Sequence, residues 1–161
     1  MKSGAAPPGR MNIEARLKEL GLTLPPPPKP VASYIPLVHS GNLVFVSGLV
    51  PHVDGKPLAT GLAGKDVSTE QANKAAQYTA LLSLSLLQAN GFLDRFKRVV
   101  RLTGYVASAA TYTDQPKVIN GASDLLVSVF GDAGRHARTA VGVTALPLNS
   151  TVEVEFVYEV T

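Results

Sequence analysis

The segment Thr151-Val152-Glu153-Val154-Glu155-Phe156-Val157-Tyr158-Glu159 alternates strictly with a period of two. Successive side chains on a strand point to opposite faces, so this segment reads as a β-strand with Glu153 and Glu155 on one face. A strand needs partners, and the chain supplies several. Ile35 to Ser40 and Leu43 to Ser47 flank a Gly41-Asn42 turn and read as a pair. Residues 98–108 read as a further strand. Residues 138–145 read as another, joined to the final strand through Leu146-Pro147-Leu148-Asn149-Ser150 as a hairpin.

Two long helices interleave with these strands. One spans about residues 69–90, opened by a Ser68/Gln71 capping box and stopped by Asn90-Gly91. Its apolar face runs through Ala72, Ala75, Ala76, Thr79, Leu82 and Leu86. The second is expected to be capped by Asp114, with Pro116 tolerated in its first turn and Gly131 at its end. Its stripe is Val118, Ala122, Leu125, Leu126 and Val129. The order ββ-α-β-α-ββ predicts an α+β fold, a sheet with two main helices. Two helices cover one face of such a sheet and leave the other bare. Yet Leu43-Val44-Phe45-Val46 and Val99-Val100 place apolar groups on both faces. At ~25 cal/mol per Å² of apolar area, wetting several of these side chains costs several kcal/mol, so an oligomer packing its sheet faces together is the simplest solution.

The remainder divides simply. Residues 1–10 read as an extension apart from the fold, expected to be disordered. Residues 11–30 hold a short helix, with Ile13, Leu17 and Leu20 at helical spacing, and a proline-rich arm from Pro25 to Pro30 that cannot join a sheet interior. Residues 31–161 form the single domain. Asp54-Gly55 marks a tight turn and Gly61 to Lys65 a loop.

Composition excludes some chemistry. With no cysteine among 161 residues there is neither a disulfide framework nor a thiolate metal site. No apolar run reaches the ~18 residues of a membrane span, and a cytoplasmic, soluble protein is the expectation. A net charge of +3 is too mild to indicate nucleic-acid binding. The densest basic stretch, Arg95 to Arg98 with Arg101 following, reads as a solvated strand start, with a phosphate-binding patch as the alternative. Gly64-Lys65 lacks the first glycine and the Ser/Thr of a phosphate-binding loop, Ala59 and Asp66 standing there instead. No G-x-S-x-G elbow occurs, and His39, His52 and His136 lack ligand spacing, so no metal site is expected.

Carboxylates on a covered sheet face need partners. Arg138 opens the preceding strand and offers a planar fork for a carboxylate, whether Glu153, Glu155 or a ligand's. In a hairpin turning near Leu148, however, Arg138 and Glu153 would lie about five residues apart, ~17 Å along the ribbon. They share a site only if a neighbouring subunit brings one to the other.

Residues 31–160 resemble the Rid/YjgF family. The resemblance rests on Tyr34, on Gly41-Asn42-Leu43-Val44-Phe45-Val46-Ser47-Gly48-Leu49-Val50-Pro51, and on Asn120. It continues through Ala137-Arg138-Thr139, Leu146-Pro147 and Val152-Glu153-Val154-Glu155, in family order and spacing. It implies a chorismate-mutase-like homotrimer with clefts between subunits and no cofactor. It further implies that Arg138 grips a substrate carboxylate and that Glu153 positions a water. Tyr34, Ser47, Gly48, Asn120 and Ala140 would line the cleft, Ala140 through its backbone. The implied reaction is hydrolysis of a 2-imino or enamine acid to a 2-keto acid and ammonia. A non-catalytic trimer that senses small carboxylates fits Arg138 equally. A nucleic-acid function lacks an aromatic-basic stacking surface. The sequence departs from the family at Ala140, where Cys is frequent, at Leu49, Ser33 and Thr139, and in its N-terminal helix and arm. These departures point to a divergent subfamily, with either a different substrate or a lost activity.

Overall fold

The computed structural model describes residues 12–30 and 32–161. The extension expected over residues 1–10 lies outside them. The chain begins with α1 (Ile13–Glu19), opened by Asn12, whose Oδ1 accepts from the Ala15 backbone N–H at 3.0 Å. Strands β1 (Leu37–Ser40) and β2 (Leu43–Leu49) follow, then a small ribbon of β3 (His52–Val53) and β4 (Lys56–Pro57). Next come α2 (Thr69–Ala89), β5 (Phe96–Ala107), α3 (Gln115–Phe130), β6 (Ala137–Val143) and β7 (Val152–Val160).

Helix α2 starts as expected, Ser68 and Gln71 exchanging side-chain and backbone bonds. Its burial is wider than one stripe. Leu82 through Leu87 are all buried, because α1 and the arm cover the outer side of this half. Ile13 and Leu17 of α1 are buried, the Arg16 Nε donates to the Ser128 carbonyl of α3 at 3.1 Å, and the Ser85 hydroxyl donates to the Pro25 carbonyl at 2.7 Å. The expected α3 stripe is buried throughout. Asp114 does not cap α3 with its side chain. Its backbone lies outside the extended region that caps adopt, and its carboxylate pairs instead with Lys117 at 3.2 Å.

The two helices pack tightly at Gly121, where a Cβ would stand 2.1 Å from the Asn73 carbonyl oxygen. Backbone cannot give way as a side chain can. Gly121→Ala should therefore destabilise the protein by about 1–3 kcal/mol, read as a lower denaturant midpoint.

The main sheet has the order β1-β2-β7-β5-β6. The predicted hairpin between the last two strands does not form. β6 pairs with β5 in parallel, and β7 lies between β2 and β5, antiparallel to both. The cause is twofold. Helix α3 provides the crossover that parallel neighbours require. The 144–151 connection then carries the chain past β5, tied down by Thr151 N–H to the Ala59 carbonyl at 3.0 Å.

The helices cover one face only. On β7, Val152, Val154, Phe156, Tyr158 and Val160 are buried beneath them, while Glu153, Glu155, Val157 and Glu159 occupy the opposite face. That open face carries Val38 (47 % exposed) and Phe45 (44 %), which lie beside Val157 through the strand register. No described helix is long and apolar enough to cross a membrane.

Candidate functional site

Strand register decides where the polar residues meet. Arg138 pairs with Leu102 and so projects on the helix-covered side of the edge strand β6. There its Nη1 donates to the Asn120 side-chain carbonyl at 2.7 Å and to the Ser123 hydroxyl at 3.2 Å, both on α3. His136 completes the group. Its Nδ1–H donates to the Gly134 carbonyl at 2.6 Å, which leaves Nε2 to accept from the Ser123 hydroxyl at 2.9 Å. Burial, and then the Arg138 charge, push the His136 pKa down against the opposing pull of the Gly134 bond. The imidazole is thus held neutral in one tautomer, and the Ser123 oxygen faces Arg138 as an acceptor. Ala140 follows two residues along the same side of β6. Among the described residues Arg138 makes no ion pair, and only its Nη1 is hydrogen-bonded.

The second group lies on the other face. Between Val46 and Leu49 three steps along β2 match two along β7, a bulge that holds Ser47 and Gly48. Ser47 ties the 34–36 segment to β2, its N–H donating to the Pro36 carbonyl and its hydroxyl to the Ile35 carbonyl, each at 2.9 Å. This brings Tyr34, half-exposed, to the same opening. The Glu153 carboxylate lies over Gly48, with Oε1 only 2.6 Å from where a Cβ would stand. Burial first and the neighbouring Glu155 second raise the Glu153 pKa above the ordinary carboxylate range. The Tyr105 hydroxyl donates to Glu155 at 3.3 Å. Glu153 has no hydrogen-bond or ion-pair partner among the described residues. It opens into a cleft of about 730 Å³ bordered by Tyr34, Ser47, Gly48, the proline arm and Leu148.

Gly48→Ala should displace the Glu153 carboxylate rather than unfold the sheet, because the atom in the way ends a flexible side chain. The expected result is an unchanged unfolding midpoint with a changed Glu153 titration, followed by carboxyl-resolved NMR.

The seven residues singled out from sequence thus fall into two groups. Arg138, Asn120 and Ala140 sit at one sheet edge; Glu153, Gly48, Ser47 and Tyr34 border the cleft. Within one chain Arg138 does not reach Glu153 or Glu155, since the strand register turns them to opposite faces. Ser123 and His136 were not anticipated, although Asn120 and Ser123 are i,i+3 neighbours on one helix face. No group of three or more described His, Cys, Asp or Glu residues could hold a metal ion.

Residues 14–160 match the family described as "YjgF/chorismate_mutase-like, putative endoribonuclease". The chain belongs to the YjgF/chorismate mutase-like family. Among solved structures it is similar to a protein of unknown function from Agrobacterium tumefaciens, at 46% identity, with a TM-score of 0.85 and 92% of each chain covered. A structure from Shewanella oneidensis described as a "putative endoribonuclease" has a TM-score of 0.86 at 35% identity, covering 92% of this chain and 99% of that one. Protein TCP17 of Trypanosoma cruzi is 44% identical over 149 residues, 91% of this chain and 93% of its own length.

Proposed function

We propose that the chain is a homotrimeric deaminase that hydrolyses 2-imino or enamine acids at clefts where Arg138 of one copy meets Glu153 of the next. One observation carries this reading: each group lacks the counterpart that the other supplies. Arg138 is clamped through Nη1 alone, leaving the rest of its fork for a carboxylate. Glu153 is a half-buried carboxylate without a donor, on a sheet face whose Val38 and Phe45 are bare. Packing that face against other copies covers the apolar groups and brings the two halves within reach of one ligand.

The chemistry follows. An enamine first takes a proton at carbon from solvent to become the protonated imine. Arg138 holds the carboxylate and orients the imine carbon. The Glu153 carboxylate takes a proton from water as the oxygen bonds to that carbon, giving a carbinolamine. Glu153 then returns that proton to nitrogen, the hydroxyl proton passes back to the Glu153 carboxylate as the C–N bond breaks, and ammonia leaves behind a 2-keto acid. A carboxyl pKa raised above its ordinary value suits a group that both takes and gives a proton, a role worth about 10²–10⁴-fold.

The histidines favour this reading over ribonuclease chemistry. His39 packs on Phe92, His52 bonds the Val50 carbonyl, and His136 serves Arg138, three separate settings. The test is ammonia release from enzymatically generated 2-imino acids, beside the mass in solution by sedimentation. Turnover by a particle of three chain masses is the expected result. A monomer at micromolar concentration would overturn the shared cleft. Keto-acid binding by the trimer with no turnover would make the protein a carboxylate sensor.

A further inference from the structure

The cleft beside Glu153 is much larger than the proposed chemistry needs. In a single copy its volume of about 730 Å³ lies within the range of pockets for drug-sized molecules, roughly 300–1,000 Å³. Its wall comes from three elements. The arm from Pro26 to Pro30 lines one side, held in place where the Ser85 hydroxyl bonds the Pro25 carbonyl at 2.7 Å. Tyr78 and Leu82 of α2 contribute a second side. Leu148, in the connection before β7, borders the opening.

Leu148 is the telling residue. It adopts the left-handed conformation, φ 59° and ψ 21°, which a leucine disfavours, and its side chain is 65% exposed. No core packing accounts for a leucine here. Asparagine, which tolerates such a backbone, would serve better if the position only made a turn. A residue held against both its backbone and its solvation preference points to something apolar that it meets. The arm fits the same purpose. Proline has no N–H to leave unbonded beside an apolar ligand, and its fixed φ means that binding need not order it.

We propose that this wall sets the substrate class: the cleft takes 2-imino acids, and the matching 2-keto acids, that carry a large branched or aromatic side chain. The proposal rests on the deaminase reading for orientation, with the carboxylate toward Arg138, the reacting carbon at Glu153 and the side chain toward the arm. The arm, Tyr78 and Leu148 are then specificity-determining. Each methylene seated in an apolar site favours binding by about fourfold. A six-carbon branched acid should therefore exceed its three-carbon counterpart by roughly 30-fold or more.

Titration calorimetry of the full chain with stable keto acids tests this. The unmodified protein should bind 4-methyl-2-oxopentanoate at least ~30-fold more tightly than pyruvate. Leu148→Asn and Tyr78→Ala should each cut that ratio by about fivefold or more. The asparagine suits the left-handed backbone, so the melting temperature of Leu148→Asn should match or exceed that of the parent. Failure to bind either acid, a ratio near one, or a ratio unchanged in both variants would overturn the proposal. Absent imine turnover with the ratio intact would instead remove the deaminase reading and leave the selectivity standing.

Discussion

Arg138→Lys should lower kcat/KM for a 2-imino acid by about 100-fold and weaken keto-acid binding to a similar degree. The argument is geometric. Asn120 and Ser123 occupy Nη1, and the two remaining guanidinium nitrogens are presented together as a fork. Lysine keeps the charge but offers a single ammonium on a flexible stem. It either satisfies Asn120 and Ser123 or meets the ligand, not both in the same geometry. Arg138→Ala should lose about tenfold more, since no cation remains at the edge of β6. Neither change empties the core, so the melting temperature should fall by only a few degrees. Ammonia release and calorimetry on the same preparations check both statements. Lysine activity within threefold of the parent would show that Arg138 acts as a point charge or not at all.

Glu153→Gln should abolish most turnover, about 10²–10⁴-fold, while leaving keto-acid binding nearly intact. The amide keeps the shape over Gly48 but cannot carry a proton between water and nitrogen. The same variant should be more stable than the parent at neutral pH. Folding raises the Glu153 pKa, through burial and then through Glu155. The folded state therefore binds this proton more tightly than the unfolded one. That contribution is fully present below the unfolded pKa and is lost as pH rises through the folded value. Glutamine has nothing to lose over that interval. The melting temperature of Glu153→Gln should exceed the parent's at pH 7 and converge with it near about pH 4. Parallel curves across that range would contradict the raised pKa, and retained turnover would remove Glu153 from the chemistry.

What the sequence disclosed was local. The period of β7, the Ser68/Gln71 box and the α3 stripe depend on near neighbours, and all three formed as read. What it concealed was pairing. A strand, a short connection and another strand suggested a hairpin, yet α3 between β5 and β6 demanded a parallel neighbour, and that demand decided the sheet order. The mistaken pairing set Arg138 and Glu153 apart along one ribbon, whereas the register parts them by turning them to opposite faces of the sheet. The link from Arg138 through Ser123 to His136 needed α3 laid against β6 before it could be seen. Wide burial of α2 was hidden similarly, since its cover comes from α1 and the arm, more than forty residues earlier in the chain.

The position of β7 governs how the molecule can come into being. It is the last of the seven strands to leave the ribosome, yet it alone joins β2 to β5. Until it emerges, the β1–β2 pair and the β5–α3–β6 unit have no strand between them, and the underside of α2 lacks the β7 side chains that pack on it, Tyr158 with its bond to Ser83 among them. Such long-range closure is slow and leaves unpaired strand edges exposed meanwhile. Nascent chains halted before residue 152 should therefore remain protease-sensitive and prone to stick to one another. Full protection should appear in one step, once the final strand clears the exit tunnel.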